Sequence, residues 1–320
     1  MKKKIAITML IILVFFPLVS VIFPRDYSDY LQRPLKTAPT LTLTNLKDGA
    51  YTSALEDFLS DRFAFKPEFL SLKAYANLVF GVSEFDNIII KSNVLFQTPL
   101  KNPRAEKFAS NPSELVAIPY KIVYDSDLPH AARLKGTREK IIKNYINLTD
   151  NHSAENYMKL FDSSYYYKGD HHLNDKGVLK LIEHLDLMSD FKTTDEYSFR
   201  GGLSRKTGIV VKDVFKGIYL DEFKNLTAIA DGKKINIYNF DKLKSQDPYL
   251  FYIGGNYGIL DIKGSGKGSV TIIKDSFANP LLPFFAKKYA HVRAIDARFL
   301  REKIEQNVLE NSDVYIIGGF

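Results

Sequence analysis

The alternation of apolar and polar positions is clearest in the last third of the chain. Its runs and periodicities predict strand 269–273, helix 277–289, strand 291–295, helix 299–309 and strand 313–317. Pro280 and Pro283 fit a first turn or a kink in the first of these helices. Strands that alternate with helices at such intervals are typical of a parallel α/β sheet.

The same periodicities predict further elements upstream. They indicate helices at 51–63, 67–80, 135–145 and 176–188, a hairpin at 87–96, and either a strand pair or a single strand with Pro119 at 115–123. Residues 190–250 differ, because they combine Lys, Asp, Gly and aromatic residues in short alternating segments. We interpret this region as a β-rich insertion.

The N-terminus contains a long apolar segment. Residues 5–23 include no charged side chain, and three lysines precede them. About 20 apolar residues suffice to cross a bilayer core. No Ala-x-Ala pattern follows, which favours an uncleaved anchor over a signal peptide, and either one exports the rest of the chain. We therefore expect an anchor at 1–24, a polar stalk at 25–45 and a domain at 46–320, in a single-pass cell-membrane protein whose C-terminal domain is extracytoplasmic.

The 320 residues include no cysteine. This composition excludes a cysteine nucleophile and cysteine-bound zinc, and a chain of this size can fold without disulfides. The formal charge of +7 includes the three leading lysines, so the basic excess of the remainder is modest. Because no basic helix or stacking cluster occurs, nucleic acid is not an expected partner. No cofactor is expected either.

Two segments contain the residue types of an acyl-transfer site. Asp170 precedes His172 by two positions on the loop before the predicted helix 176–188, so the carboxylate can bond Nδ1 and leave Nε2 free. Ser276 follows the predicted strand 269–273, where its backbone N–H starts a helix and can stabilise an oxyanion. Brought together, the segments would supply a nucleophile, a base and an orienting carboxylate.

Plainer interpretations stay open for these residues. Asp170 and Ser276 are also ordinary helix caps, and Asp275 is the better cap at the second site because its position next to the serine suits it poorly to orient a histidine. Asp170, His171 and His172 could ligate a metal. Adjacent histidines seldom face one ion, however, and no third cluster of ligands occurs, so we expect no metal site.

Two further signals are weaker. Gly254, Gly255 and Asn256 follow the apolar stretch 249–253, where glycines allow a close backbone approach and the amide can donate to an oxyanion. Such a sequence also makes ordinary turns. The three tyrosines at 165–167 predict a strand, with stacking against a sugar ring as the alternative.

The segment 166–173 resembles the signature of the DHHW family of exported proteins. Residues 48–63 are similar to that family's stretch after the anchor, 274–279 to its serine block and 296–299 to its aspartate-arginine element. The match is weakest at about 100–160 and 190–245. The family is similar to the alginate O-acetylation proteins, which have an SGNH-hydrolase-like domain.

This resemblance implies both a fold and a site. The fold is α/β, with a circularly permuted SGNH-hydrolase-like (flavodoxin-like) parallel sheet and helices on both faces, since the Asp and His precede the Ser. The implied site residues are Ser276, His172 and Asp170 as catalytic residues, Gly255 and Asn256 at the oxyanion, and Arg298 as a looser substrate or oxyanion contact.

The resemblance also implies a function. The expected protein is a membrane-anchored O-acetyltransferase or acetylesterase for a cell-surface polysaccharide, supplied with acetyl groups by a membrane-bound O-acyltransferase. The alternative is a non-catalytic surface scaffold that binds glycan or that partner. Two positions depart from the pattern. Leu173 replaces the tryptophan, which removes an aromatic wall from the expected pocket, and Lys274 stands where SGNH enzymes have glycine, although lysine is usual in the DHHW family.

Overall fold

The computed structural model describes residues 27–28, 33–63, 65–98, 114–148, 151–299 and 312–319. The chain divides into two compact units: Met1–Val82 with Arg205–Val210, and Ser83–Ser204 with Val211–Phe320. The predicted anchor lies outside the described residues, and the divisions at 24 and 45 both stay predictions. No helix within the described ranges is both long and apolar enough to cross a membrane.

The first unit is mainly helical. Its elements are β1 Tyr27–Ser28, β2 Arg33–Pro34, α1 Leu43–Lys47, α2 Ala50–Arg62 and α3 Lys66–Val79. The helices predicted at 51–63 and 67–80 are confirmed to within one residue at each end. Pro67 lies in the first turn of α3, and Gly81, at φ 78°, follows its end. Part of α1 falls in the predicted stalk, and it buries no residue, so no apolar periodicity could have indicated it.

The second unit contains the remaining strands and most of the remaining helices. Its strands are β3 Glu84–Phe85, β4 Ile88–Lys91, β5 Val94–Gln97, β6 Glu114–Ile118, β7 Lys192–Arg200, β8 Lys212–Tyr219, β9 Thr227–Ala230, β10 Lys233–Asn236, β11 Ile259–Lys263, β12 Ser269–Lys274, β13 His291–Ile295 and β14 Asp313–Gly319. Its α-helices are α4 His130–Leu134, α5 Thr137–Leu148, α6 Asn151–Leu160, α7 Asp175–His184, α8 Gly202–Thr207, whose last three residues are part of the first unit, and α9 Leu282–Lys288. Short 3₁₀ helices cover Lys121–Tyr124, Ser163–Tyr165, Asp221–Phe223, Phe240–Lys244, Pro248–Phe251 and Ser276–Leu281.

A seven-stranded sheet organises this unit, in the order β10-β9-β11-β13-β12-β14-β6. The strands β13, β12, β14 and β6 are mutually parallel, whereas β11, β9 and β10 add antiparallel pairings. The predicted parallel sheet is therefore right for four strands, and the full sheet is mixed. The β-rich prediction for 190–250 is right in part: β7 and β8 pair with each other and β9 and β10 extend the main sheet, whereas 202–211 forms α8 and a segment without strand structure.

The position and direction of the central strand β12 determine the edge of the sheet at which the candidate site lies. Its residues from Val270 to Ile273 are buried, as expected for a strand with neighbours on both sides and cover on both faces. Its parallel register places Ile273 beside Ile295 of β13 and Ile316 of β14. The carboxyl ends of these strands consequently meet at one edge of the sheet, where α/β proteins place their reactive residues.

Other predicted elements need correction. The tyrosines at 165–167 form no strand: a 3₁₀ helix ends at Tyr165, and Tyr166 makes an isolated bridge to Leu173. The predicted helix 277–289 begins as a 3₁₀ helix containing Pro280, because a proline inside a helix lacks the N–H for an α-type bond. The predicted helix 299–309 lies almost wholly outside the described residues.

Candidate active site

Ser276 lies where β12 turns into the 3₁₀ helix Ser276–Leu281. The preceding Asp275 fixes this turn, since its Oδ1 accepts the Phe277 N–H at 2.9 Å and its Oδ2 accepts the Gly319 N–H at 2.9 Å. Its own N–H donates to the Ile317 carbonyl at 3.1 Å. The prediction that Asp275 is the cap is confirmed. The serine therefore occupies a turn tied to the neighbouring strand β14.

The fold brings Ser276, His172 and Asp170 into one hydrogen-bonded series. Ser276 Oγ lies 2.8 Å from His172 Nε2, although the two residues are 104 positions apart. His172 Nδ1 lies 2.7 Å from Asp170 Oδ1, which also accepts the His172 backbone N–H at 3.0 Å. Asp170 and His172 are buried, at 6% and 8% exposure. The three side chains thus have the mutual distances of a nucleophile, a base and an orienting carboxylate.

The environment of Asp170 favours its ionised form. Burial raises the pKa of this carboxyl, but the charges of His172 and His171 and the hydrogen bonds from His172 and Gly202 outweigh that effect and hold the pKa well below its usual range. The Gly202 N–H donates to Oδ2. Both carboxylate oxygens therefore have N–H partners, and the charge can stabilise an imidazolium at His172.

Tyr249 connects the two halves of the site. Its ring stacks on the His172 imidazole, with centroids 3.9 Å apart and planes inclined by 15°. Its hydroxyl donates to the Ser276 carbonyl at 3.1 Å. Sequence reasoning missed this residue, whose one available signal was a tyrosine in an apolar segment shortly before Gly254. Tyr249 restricts both the imidazole plane and the serine backbone.

The loop that carries Asp170 packs closely at two glycines, Gly169 within the loop and Gly201 after the end of β7. A Cβ on Gly201 would lie 2.4 Å from the Gly169 carbonyl oxygen and 2.6 Å from Asp170 Cβ. A Cβ on Gly169 would lie 2.9 Å from Val211 Cβ. This close backbone contact lets the Gly202 N–H reach the Asp170 carboxylate.

Gly255 and Asn256 follow a tight turn near Tyr249. Ile253 is buried at φ 55°, a region that β-branched residues rarely occupy, and Gly254 follows at φ 73°. The positive φ favours glycine at position 254, and a Cβ there would also lie 2.8 Å from Asn239 Nδ2, the end of a side chain. Gly255 is half-buried and Asn256 is exposed. Strained backbone of this kind often occurs near functional sites, which keeps the two residues as candidates for the oxyanion.

Arg298 is held by a buried carboxylate after the end of β13. Its Nε and Nη2 donate to the two oxygens of Asp296 at 2.9 and 2.7 Å, and the Asp296 side chain is 1% exposed against 39% for Arg298. Lys274 also lies near Asp296, with its ammonium 3.9 Å from Oδ2, and it donates to Asn279 Oδ1 at 2.8 Å. Burial lowers the pKa of Lys274 to about 8. Lys274, at the end of β12, thus belongs to a buried polar cluster with Asn279 and Asp296.

The metal alternative meets an obstacle in these hydrogen bonds. Among the residues that the structure describes, one group of three metal-competent side chains occurs, with the ligand atoms of Asp170, His171 and His172 within 4.8 Å of one another. Both oxygens of Asp170 and both ring nitrogens of His172 already have hydrogen-bond partners. A metal would have to displace Ser276 from Nε2 or the imidazole from Asp170.

Comparisons with known proteins bear on the fold. No family model and no curated protein matches the chain. Among solved structures, a DHHW family protein from Eubacterium siraeum is similar over 74% of this chain and 91% of its own, with 16% identity and a TM-score of 0.53. The structure thus bears out the DHHW resemblance that the motif at 166–173 predicts, at the level of the fold.

Two other solved structures are more distant. Bacillus cereus PatB1, determined with a sulfonyl adduct, has 15% identity, covers 73% of this chain and 95% of its own, and has a TM-score of 0.49. The O-acetyltransferase domain of Pseudomonas putida AlgJ has 10% identity, covers 73% and 90%, and has a TM-score of 0.34.

Leu173, which departs from the family signature, is a buried core residue in this structure. This side chain is 2% exposed and belongs to the main hydrophobic core, and its backbone bridges to Tyr166. The position that holds tryptophan in the family signature is here a core position, and it also contacts the helix start at Gly177, where a Cβ would lie 3.0 Å from Leu173 Cδ2.

Proposed function

We propose that this protein is a membrane-anchored, extracytoplasmic O-acetyltransferase or acetylesterase that acts on a cell-surface polysaccharide through a Ser-His-Asp triad. The observation that supports it most is the unbroken series from Ser276 Oγ through the imidazole of His172 to the carboxylate of Asp170. The order of these residues in the chain supports a circularly permuted SGNH-like domain. The acyl chemistry rests on this geometry and the polysaccharide on the family resemblance.

In the proposed reaction, Ser276 Oγ attacks the carbonyl carbon of an acyl donor. His172 Nε2 accepts the serine proton, and ionised Asp170 stabilises the imidazolium and holds its tautomer. The oxyanion of the tetrahedral intermediate accepts hydrogen bonds from the Ser276 and Gly255 N–H groups and from the Asn256 amide. As the intermediate collapses, the bond to the leaving group breaks, His172 returns the proton to that group, and an acyl-serine remains.

A second attack completes the cycle. His172 deprotonates either a sugar hydroxyl or water, the resulting oxygen nucleophile attacks the acyl carbon, and the bond to Ser276 Oγ breaks as His172 returns the proton to that oxygen. Transfer results when the sugar hydroxyl is bound in place of water, and hydrolysis results otherwise. By the family resemblance, the acetyl donor is a membrane-bound O-acyltransferase, and the apolar segment 5–23 keeps the protein beside it.

Hydrolysis of p-nitrophenyl acetate by the full chain in detergent tests the proposal. We compare the parent with Ser276→Ala and His172→Ala, and use the exposed Ser265→Ala and His130→Ala as matched controls. The proposal expects the first two variants to lose activity by about 10³-fold or more while both controls retain it. Equal rates in all five proteins would instead support the non-catalytic scaffold.

Two further measurements refine the result. A sulfonyl fluoride should add once to the parent and not to Ser276→Ala, as detected by intact mass. Incubation with an acetyl donor and a panel of oligosaccharides then separates the two activities, since a transferase yields acetylated sugar and an esterase yields acetate.

A further inference from the structure

A buried lysine lies beneath the loop that carries Asp170. Lys121 begins the 3₁₀ helix after β6 and is 5% exposed. Its ammonium donates to the carbonyls of Tyr167, Lys168 and Asp170 at 2.5, 3.0 and 3.4 Å. Three carbonyls of one short segment therefore converge on a single side chain that lies 46 to 49 positions earlier in the chain.

The same loop is held through its amides by a carboxylate. Asp213 of β8 accepts the Lys168 N–H at Oδ1 and the Gly169 N–H at Oδ2, each at 2.7 Å. The loop is thus hydrogen-bonded to a cation through its carbonyls and to an anion through its N–H groups. Lys121 and Asp213 act on the same peptide groups from different ends, since the ammonium bonds the carbonyls and the carboxylate bonds the N–H groups.

The carbonyl contacts require the protonated form of Lys121. An ammonium has three N–H donors, which matches three carbonyl acceptors, whereas a neutral amine has two donors and a lone pair that would face an oxygen. Burial lowers the pKa of Lys121 to about 7, while the carboxylates of Asp213 and Asp170 oppose that shift. The Phe96 ring, 5.5 Å from the ammonium, also favours the charge.

We propose that Lys121 and Asp213 are positioning residues that hold the Tyr167–Asp170 loop so that Asp170 orients His172 toward Ser276. The catalytic part of this inference rests on the proposed function, whereas the geometric part does not. A displacement of about 1 Å in a catalytic group can cost about 10²-fold in rate. A merely structural pair would stabilise the fold and leave the Asp170–His172 hydrogen bond unchanged.

The test uses the full chain and two readouts. The first is the low-field proton resonance of His172 Nδ1–H in its bond to Asp170, which reports the geometry whether or not the protein is an enzyme. The second is kcat/KM for p-nitrophenyl acetate. The variants are Lys121→Met, Lys121→Arg and Asp213→Asn, with the exposed Lys176→Met as the control, and circular dichroism establishes that each is folded.

We expect Lys176→Met to match the parent in both readouts. Lys121→Met should lose or broaden the resonance and lower kcat/KM by about 10²-fold, and Lys121→Arg should recover part of both because it retains a charged donor. Asp213→Asn should act in the same direction more weakly, since its amide oxygen can still accept one N–H.

The outcomes separate this proposal from the proposed function. A folded Lys121→Met with the parental resonance overturns the positioning role, even in an active enzyme. If the parent is inactive but shows the resonance, and Lys121→Met lacks it, the positioning role is supported and the proposed enzymatic function is excluded. If the variants do not fold, amide exchange in the parent decides: slow exchange at Lys168 and Gly169 is expected, and fast exchange at both overturns the proposal.

Discussion

The two sides of the candidate site are held in different ways. On the serine side, Asp275 is adjacent to Ser276, and it ties the turn to β14 through regular strand neighbours. On the histidine side, the irregular loop at 167–170 depends on side chains and amides 32 to 49 positions away. Ser276 is thus positioned through the backbone of a neighbouring strand, whereas the position of His172 depends on the side chains of Lys121 and Asp213, which single substitutions can remove.

Among the residues that position Ser276 and His172, the largest expected effect is at Asp170, on the histidine side. Asp170→Asn should lower kcat/KM for p-nitrophenyl acetate by about 10⁴-fold, because an amide neither fixes the imidazole tautomer nor stabilises its charge. The exposed Asp190→Asn should leave the rate unchanged. Retention of more than a tenth of the parental rate in Asp170→Asn would show that the carboxylate does not orient a catalytic base.

The pH dependence gives the next effect, with opposite signs for rate and stability. Because the folded-state pKa of Lys121, about 7, lies below its ordinary 10.5, the unfolded chain binds the extra proton between those values, and this group makes stability rise with pH there. The rate should fall, by about 10-fold one unit above the pKa, as the ammonium facing Asp170 and Asp213 loses its proton.

This pair of trends has a clear control. Rates are measured from pH 6 to 9 with the Ser276→Ala rate subtracted, and stability is measured by urea unfolding at each pH. Lys121→Arg should lose both trends, since a guanidinium stays charged throughout this range. A parental rate that is flat above pH 7 would contradict the role of the ammonium.

On the serine side, we expect a smaller and more local effect. Asp275→Ala removes the acceptor for the N–H groups of Phe277 and Gly319, so the free energy of unfolding should fall by about 1–2 kcal/mol and kcat/KM by about 5-fold. Asp275→Asn should recover part of both. An activity loss as large as that of Asp170→Asn would mean that the geometry of the serine side depends on one side chain as strongly as that of the histidine side.

The smallest effect should come from the residue that joins the two sides. Tyr249→Phe keeps the ring on His172 but removes the hydroxyl that donates to the Ser276 carbonyl, which should cost about 1 kcal/mol of stability and about 3-fold in rate. Tyr249→Ala should cost considerably more in both. Equal losses in the two variants would assign the whole effect to the hydroxyl.

Sequence reasoning was most successful where structure is local. The strand at 291–295 has the predicted bounds, and the cap at Asp275 follows from its position before a helix start. The Asp-x-His spacing indicated that Nδ1 could bond the carboxylate while Nε2 stayed free, and the distances agree with that geometry.

The missing parts depend on long-range contacts. Strand direction in β9–β11 carries no periodicity signal, so the mixed sheet was not foreseen. Lys121 lies within the otherwise apolar segment 115–123. A lysine in such a segment indicates a buried charge, and a buried charge needs hydrogen-bond partners. No local sequence pattern links Lys121, Asp213 or Gly202 to the Asp170 loop, because those contacts exist only after folding.

The packing of Gly169 against Gly201 has a consequence for directed evolution. Any side chain at either position would collide with backbone or with Val211, so libraries that randomise these codons should yield mostly misfolded products. The exposed Asn256 has no such steric restriction, because added atoms there meet solvent. A library that samples all three positions should therefore recover folded protein from substitutions at Asn256 and almost none from substitutions at Gly169 or Gly201.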